Sequence, residues 1–400
     1  MNILIVSQMF YPESFKINDL AFQLKKKGHT VTVLTGKPNY PKGDFFPGYS
    51  FFKPNRESIH DIDVIRVPLY PRKNGRFHHL ILNYLSFVFF ATIIGLPKVL
   101  FKKYDIVFSW GTSPILMAIP GIFAAKLKRK PHYVWVQDLW PETLSAVGAT
   151  KNPLLLNIVG LVVKWIYKNS YKILIQSQFF KSSILKWGGK EEQIMYYPNW
   201  AEEIFEKDKS KPQSQTQDFK ILFAGNVGIA QNMGLIVDTA RLITHEKIVF
   251  HIYGEGSSKK WLGEQIIKYN LQNKIVLHAR LPVEDMPQLY RQHDALFVSL
   301  KKEPAFEKVL PAKVQTYLTS GVPIIASGEG ELNRVITASG AGFCAPPEDA
   351  NENFESILKL YKLTAEQRIS MGIKGQEFYN KYFTREHLIN QLEDNFKKAA

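Results

Sequence analysis

The distribution of apolar residues along the chain predicts an alternation of buried strands and helices. Short runs rich in Val and Ile, with little polar alternation, recur in both halves: "ILIVS", "GHTVTVLTG", "DVIRVPLY", "DIVFSW", "HYVWVQD" and "YKILIQS", then "FKILFAG", "KIVFHIYG", "KIVLHAR", "ALFVSL" and "VPIIAS". Helical spacing separates them, for example over residues 16–27. Strands that are apolar on both faces and separated by helices are typical of parallel sheets covered on both sides. The pattern therefore predicts an α/β protein with doubly wound, Rossmann-like domains.

A polar stretch divides these two series of strands. "NWAEEIFEKDKSKPQSQTQDF" is poor in aliphatic residues and contains a Ser/Gln/Lys/Pro patch, which is typical of a linker. We expect a first domain over 1–199, a linker over 200–219 and a second domain over 220–383. The last helix, 384–400, is expected to join the first domain. Two such domains would face a cleft, with ligands at the carboxyl ends of the strands.

The segment "EKVLPAKVQTYLTSGVPIIAS" predicts a helix that begins near an anion. Pro311 suits a first helical turn, Val314 and Tyr317 recur at helical spacing, and Gly321 ends the helix. Lys313 would then lie beside unpaired backbone N–H groups that favour an anion. The alternative interpretation is an ordinary solvated lysine.

Charge and composition limit the partners. The net charge is +15, and residues 1–200 carry 26 Lys and Arg against 11 Asp and Glu, so all of the excess lies in the first half. A basic half suits nucleic acid or an anionic membrane. Nucleic acid is disfavoured because no aromatic-interleaved basic motif accompanies the charge. The single cysteine, Cys344, fits a reducing cytoplasm, and the N-terminus lacks the basic n-region of a signal peptide.

A long apolar run, residues 79–105, favours the membrane. It has no charge between Leu80 and Leu96, and basic residues flank it: Arg72, Lys73, Arg76, Lys98, Lys102 and Lys103. It falls short of the roughly 20 clean apolar residues of a spanning helix. Two main interpretations stay open for this segment, a helix lying in the membrane interface or a buried core helix, and a true membrane span is the third.

Several stretches in the order of the chain resemble the GT-B nucleotide-sugar glycosyltransferases of family 4. They are "YPESFKINDLAFQLKKKGHTVTVLTGKPNYPKGDFFPGY", "WVQDLWPETLSAVG", "FAGNVGIAQNMG", "KVLPAKVQTYLTSGVPIIAS" and "GAGFCAPPED". The first half resembles more narrowly the L-fucosamine transferases of O-antigen and capsule synthesis. The resemblance implies a retaining transfer of a deoxy-amino sugar, N-acetyl-L-fucosamine, from a UDP donor to a polyprenyl-diphosphate-linked sugar. It also implies an enzyme without metal or other cofactor. Together with the basic charge and the apolar run of the first half, it predicts a protein peripheral on the cytoplasmic face of the membrane.

The residues that would perform this transfer follow strands. Asp138, after "HYVWV", can orient or deprotonate an acceptor hydroxyl, although a turn or cap residue would look the same. Lys313 would supply positive charge to the departing diphosphate. Donor binding is expected at Gly225, Asn226, Gly228, Gln231, Arg280, Glu307, Lys313, Gln315 and Thr316. Acceptor binding is expected at Asn18, Asn39, Tyr40, Gln137 and Glu142.

This chain departs from the family at positions that bind the donor. The family's His-Asp is Gln137-Asp138, and its loop Arg and Lys are Asn226 and Gln231. Its two glutamates, eight positions apart, correspond to Lys308 and Thr316, or to Glu307 and Gln315 after a one-residue register change. Lys313 would therefore carry more of the phosphate neutralisation.

Other chemistries fit less well. "DID" at 61–63 spells a metal-binding Asp-x-Asp but leads straight into a predicted strand. A UDP-sugar 2-epimerase on the same fold, or a non-catalytic basic membrane-binding or nucleic-acid-binding protein, are the alternative functions. The epimerase would need no acceptor and no basic half.

Overall fold

The computed structural model describes residues 1–53, 55–146, 148–208, 218–244 and 247–400. These form two units, one of Met1–Pro198 with Leu388–Ala400, the other of Asn199–His387. The predicted linker lies partly outside the described residues, which exclude 209–217, and its described part contains the helix Glu203–Lys207. The C-terminal helix spans Arg385–Ala399, and its residues from Leu388 onward belong to the first unit.

The first unit is built on a sheet whose strand order is β3-β4-β2-β1-β5-β6-β7-β8. Neighbours are parallel except for β3 and β4, an antiparallel edge pair that the apolar pattern did not predict. Ile3 of β1 pairs with Val31 of β2 and Ile106 of β5, so β1 is central. The elements are β1 (Asn2–Ser7), α1 (Lys16–Lys26), β2 (Thr30–Gly36), β3 (Asn55–Ile59), β4 (Ile62–Val67), α2 (Phe77–Phe90), α3 (Leu96–Leu100), β5 (Ile106–Gly111), α4 (Ile119–Lys128), β6 (His132–Val136), α5 (Glu142–Ala146), α6 (Pro153–Lys168), β7 (Lys172–Ile175), α7 (Phe180–Lys186) and β8 (Ile194–Tyr196).

The second unit contains a parallel sheet of order β11-β10-β9-β12-β13-β14. A cluster of buried aliphatic and aromatic side chains from β9, β10 and α9 forms its core. The elements are α8 (Glu203–Lys207), β9 (Phe219–Ala224), α9 (Met233–Leu242), β10 (Ile248–Tyr253), α10 (Lys259–Lys268), β11 (Ile275–His278), α11 (Met286–Arg291), β12 (Ala295–Ser299), α12 (Pro304–Glu307), α13 (Lys313–Ser320), β13 (Ile324–Ser327), α14 (Glu331–Ser339), β14 (Gly342–Ala345), α15 (Ala350–Tyr361) and α16 (Ala365–Tyr382). The last helix, α17 (Arg385–Ala399), begins in this unit and belongs to the first unit from Leu388 onward. Each unit is thus a Rossmann-like α/β domain, as predicted.

The apolar run is helical, with a π-helical turn at Ala91–Gly95 between α2 and α3. Gly95 lets this turn pack closely on the sheet, because a Cβ there would lie 2.6 Å from a methyl group of Leu34. By length and composition Phe77–Leu100 could cross a membrane, and 28% of its most apolar window is buried. In α2 itself Asn83 and Phe87 are buried, and the other side chains are half-buried or exposed.

Candidate functional site

In the second unit, the carboxyl ends of β9 and β12 mark the point where the strand order reverses. Open α/β sheets bind their ligands at this switch point. The loop after β9 begins with Gly225, whose φ of 135° favours glycine. Its N–H donates to the Tyr253 carbonyl at 2.9 Å, and a Cβ on Gly254 would lie 1.8 Å from the Gly225 carbonyl oxygen. The backbones after β9 and β10 therefore meet with no space for side chains.

Lys313 begins α13 and reaches this loop. Its Nζ lies 3.9 Å from the centre of the Phe223 ring and 3.1 Å from where a Cβ on Gly225 would stand. The Nζ is buried and has no hydrogen-bond partner among the described residues. Burial lowers the pKa of Lys313 to about 7. A buried amine without an acceptor, at a switch point, is poised for an anionic ligand.

The predicted helix around Lys313 is confirmed. It begins at Lys313, two residues after Pro311, and Gly321 ends it in the left-handed conformation, φ 73°. The hydroxyl of Thr316 donates to the Lys313 carbonyl at 2.9 Å, within the same helix. Gln315 is fully buried in α13.

The other predicted donor-binding residues follow β9, β11 and β12 along the chain. The Gln231 side-chain oxygen accepts from the Gly228 N–H at 3.2 Å and from the Asn226 amide at 3.3 Å, which closes the loop after β9. Arg280 is exposed just after β11, and Glu307 ends α12. The structure brings Gly225 and Lys313 into contact, whereas it uses Gln231 to hold the loop.

Sequence reasoning missed the loop after β10. A Cβ on Gly256 would lie 2.3 Å from the Val227 carbonyl oxygen, and the Val227 N–H donates to the Glu255 carbonyl at 2.9 Å. This loop supports the one that carries Gly225. Its signal was visible as "YGEGS" directly after an apolar strand, the same arrangement that singled out Gly225.

In the first unit, Asp138 follows β6, as predicted. It accepts hydrogen bonds from the side chain and backbone of Ser113. The Ser113 hydroxyl oxygen also accepts from the Trp140 indole N–H at 3.0 Å. Burial raises the pKa of Asp138, and the hydrogen bonds from Ser113 oppose the rise. A carboxylate with a raised pKa is a stronger base than a solvated one, which suits proton transfer from an acceptor hydroxyl.

The asparagines predicted to bind the acceptor are held by the backbone. The Asn18 side chain accepts from the Tyr11 N–H at 3.0 Å and donates to the Glu13 carbonyl. Asn39, only 3% exposed, accepts from the Arg72 N–H at 3.0 Å and donates to the Lys37 carbonyl at 2.9 Å. Both amides thus position loops at the carboxyl ends of the strands.

Glu13 organises the same loops and was not singled out from the sequence. Its carboxylate accepts from the backbone N–H groups of Asn39 and Tyr40, both at 2.8 Å. Burial raises the pKa of Glu13, and the backbone hydrogen bonds oppose that rise. The side chain of Tyr40 in this loop is 39% exposed.

The remaining acceptor-binding predictions, Gln137 and Glu142, lie on either side of Asp138 in the chain. The Gln137 N–H donates to the Gly111 carbonyl at 2.9 Å, extending the β5–β6 pairing. One Glu142 carboxylate oxygen accepts from the Trp187 indole N–H at 3.3 Å. Glu142 therefore contacts the segment that follows α7.

The Asp-x-Asp motif lies at the start of β4, as its sequence suggested. Asp63 is paired with Arg56 and Lys102, and these contacts lower the pKa of Asp63 against the effect of burial. Across the part of the chain that the structure describes, no three His, Cys, Asp or Glu side chains come together as a metal-ligand set.

Comparisons with known proteins identify both units. Residues 16–200 match the family described as glycosyl transferase 4-like domain, and residues 204–378 match the family described as glycosyl transferases group 1. The putative colanic acid biosynthesis glycosyl transferase WcaI of Escherichia coli is 23% identical over 99% of this chain and 100% of its own. The crystal structure of Anabaena HepE in complex with UDP has a TM-score of 0.70 at 13% identity, covering 100% of both chains. Sucrose-phosphate synthase from Thermosynechococcus elongatus has a TM-score of 0.69 at 14% identity, covering 99% of this chain and 98% of its own.

Proposed function

The chain is a glycosyltransferase of GT-B fold, and we propose that it moves N-acetyl-L-fucosamine, a deoxy-amino sugar, from a UDP donor to a polyprenyl-diphosphate-linked sugar with retention at the anomeric carbon. The buried ammonium of Lys313 beside Gly225 carries the donor part of this proposal. Negative charge develops on UDP as it departs, and a positioned cation stabilises that charge. The UDP complex of HepE, which has the same fold, supports the choice of nucleotide.

The acceptor and the pathway rest on other observations. The similarity to WcaI supports a role in the synthesis of a cell-surface polysaccharide. The narrower resemblance of the first half to L-fucosamine transferases supports the sugar. Asp138, with its raised pKa, would orient the acceptor hydroxyl and take up its proton. Two glycosyltransferase domains favour sugar transfer over the 2-epimerase and over a protein without catalysis.

We place the enzyme on the inner face of the cell membrane, with no metal or cofactor required. Exposed apolar side chains on three helices of the first unit support this placement, namely Ile81, Leu82, Leu85 and Phe89 on α2, Phe123 and Leu127 on α4, and Leu154, Leu155, Ile158 and Leu161 on α6. The Phe123 and Trp165 rings lie 5.8 Å apart, so α4 and α6 are neighbours. Large apolar side chains exposed in such number are typical of a membrane or protein contact.

Ligand-induced thermal stabilisation tests the donor assignment. A ligand that binds only the folded protein raises its melting temperature according to its concentration relative to Kd. We expect UDP to raise the melting temperature more than GDP or ADP, with EDTA present to remove divalent cations. Equal shifts for the three nucleotides would contradict the assignment. Transfer from UDP-N-acetyl-L-fucosamine, compared with UDP-N-acetylglucosamine, then tests the sugar, and NMR of the product tests anomeric retention.

A further inference from the structure

The first unit has its own switch point, where β1 and β5 lie side by side and the strand order reverses. A buried polar atom without a partner lies there. The Trp110 indole N–H, on a side chain 4% exposed, has no hydrogen-bond partner among the described residues. Val6 of β1 pairs with Ser109 of β5, so Trp110 stands at the end of the β1–β5 pairing. An unsatisfied buried donor or acceptor costs free energy that a ligand hydroxyl would recover.

Aromatic rings extend from this point towards the solvent. The Phe15 ring centre lies 5.3 Å from that of Trp110 and 5.2 Å from that of Tyr40. Phe15 and Tyr40 are both at least partly exposed. The apolar faces of sugar rings pack on aromatic side chains, and a few polar groups then fix their orientation, which is the usual composition of a small-molecule site.

A cation lies at the outer end of the rings. The Arg72 guanidinium carbon lies 5.4 Å from the Tyr40 ring centre and 5.6 Å from that of Tyr84 on α2. Its side chain donates to the Tyr84 hydroxyl at 3.4 Å, and across the described residues no carboxylate pairs with it. A planar guanidinium fixed between two rings is suited to bidentate recognition of a phosphate.

The apolar surface of α2 begins beside this cation. Ile81, Leu85 and Phe89 are all exposed and recur every four residues, so they form one stripe that starts next to Tyr84. The Trp110 N–H, the row of contacting rings, the Arg72 guanidinium and the apolar stripe thus follow one another. This order matches a sugar, its phosphate and a hydrocarbon chain.

We infer that Phe15, Tyr40, Arg72 and Trp110 form the recognition site for the sugar phosphate of the acceptor, with the sugar against the rings and the phosphate on Arg72. This inference rests on the proposed function, since it presupposes a transferase with a phosphate-linked acceptor. It assigns the acceptor to residues other than the asparagines that the sequence indicated. The prenyl chain would continue along the stripe on α2.

Binding of defined probes tests the site. The probes are geranyl-diphosphate-linked N-acetylglucosamine, N-acetylglucosamine 1-phosphate, which lacks the prenyl chain, and geranyl diphosphate, which lacks the sugar. We expect Arg72→Gln to weaken binding of the geranyl-linked sugar by about tenfold or more, because a hydrogen bond to a charged group contributes roughly 1.5–3 kcal/mol. The affinity of Arg72→Lys should fall between those of the wild type and Arg72→Gln, since lysine keeps the positive charge but loses the bidentate geometry of the guanidinium. Arg129→Gln, an exposed arginine of the same unit, is the matched control.

Trp110→Phe separates sugar recognition from phosphate recognition. It should weaken the two sugar-bearing probes several-fold and leave geranyl diphosphate unchanged. If N-acetylglucosamine 1-phosphate and the geranyl-linked probe bind equally well, the site recognises the sugar phosphate and the prenyl chain adds nothing to binding.

UDP affinity, measured on each variant, separates this inference from the proposed function. If the wild type binds UDP but fails to bind the geranyl-linked probe, or if Arg72→Gln binds it as well as the wild type, the site is wrong and the donor assignment stands. If Arg72→Gln loses as much affinity for UDP as for the probe, Arg72 serves folding and not phosphate recognition, and the site is overturned. Failure of UDP to bind the wild type would instead remove the proposed function.

Discussion

Among single residues, Lys313 gives a clear prediction for how the stability of the protein depends on pH. Its folded-state pKa is about 7, against an ordinary value of 10.5. Between these values the unfolded chain binds a proton that the folded chain does not, so stability rises with pH across that window. Below pH 7 the lysine is charged in both states and the full cost of burying the charge is present.

We therefore expect Lys313→Met to raise the melting temperature of the ligand-free protein, most clearly below pH 7, and to flatten its dependence on pH between 7 and 10. A stability change of 1 kcal/mol corresponds to roughly 2–4 °C in a domain of 150–250 residues. In the same variant the transfer rate should fall about 10²–10³-fold, the usual cost of losing one positioned charge contact. A destabilised variant with normal transfer would show that the ammonium has a structural partner.

UDP binding in the wild type should also take up a proton. A diphosphate favours the charged amine, so UDP affinity is expected to fall as pH rises above 7. Isothermal titration in buffers of different ionisation enthalpy measures the proton directly. Lys313→Met is the control, because its UDP binding should be weaker and free of this proton uptake.

Asp138 gives a second prediction at the residue scale. Its raised pKa means that it becomes a carboxylate only at a higher pH than an ordinary Asp, whose value is 3.8. As pH falls, the transfer rate should therefore decrease at a pH above that value. Asp138→Asn should lose most of the transfer, and its remaining rate should not show this decrease. UDP affinity of Asp138→Asn should equal that of the wild type, and a parallel loss of both would contradict a role confined to the acceptor.

Among the helices, α2 is the one for which the sequence did not decide between a core position and a position in the membrane interface. Its composition fits a core helix and an interfacial helix equally, because hydropathy does not say which side the protein covers. The structure buries only Asn83 and Phe87 of α2. The sequence also proposed Lys102 as a membrane contact, yet Lys102 pairs with Asp63. Lys98 and Lys103 are exposed on the same segment and are the better candidates.

We expect the double variant Phe89→Ser, Ile93→Ser to associate less with anionic vesicles and to keep its melting temperature, because both side chains are already nearly 60% exposed (58% and 59%). The pair Ile369→Ser, Ile373→Ser on α16 has the same spacing and exposures of 47% and 46%, and serves as the control. Flotation on a density gradient measures association. A fall in melting temperature without a change in flotation would assign the stripe to a protein contact.

For the molecule as a whole, the sequence predicts best what depends on local pattern. The apolar strands, the helix at Lys313 and its end at Gly321 follow from residues close in the chain, and the structure confirms them. Strand β3, "NRESI", was missed because it is polar and pairs only at an edge. Asn39 and Glu13 show why the role of a polar side chain could not be predicted from the sequence. A polar residue after a strand looks alike whether its side chain binds a ligand or a backbone N–H, and only the folded chain distinguishes them.

The placement of charge is also a property of the whole chain and gives a last prediction. The excess of +15 lies in residues 1–200, whereas residues 201–400 carry 25 positive and 25 negative side chains. Charges near an anionic surface each contribute about 1 kcal/mol, and this contribution is screened over a length of about 10 Å at 0.1 M salt and 3 Å at 1 M. Association with anionic vesicles should therefore weaken strongly as salt rises. Lys98→Gln with Lys103→Gln should reproduce only part of that loss, because the remaining basic residues of the first half still act. Neutral vesicles isolate the apolar contribution of α2, and binding to them should be weak and independent of salt. If salt left the anionic vesicles bound as before, attachment would depend on apolar insertion alone, and the charge excess would need another partner.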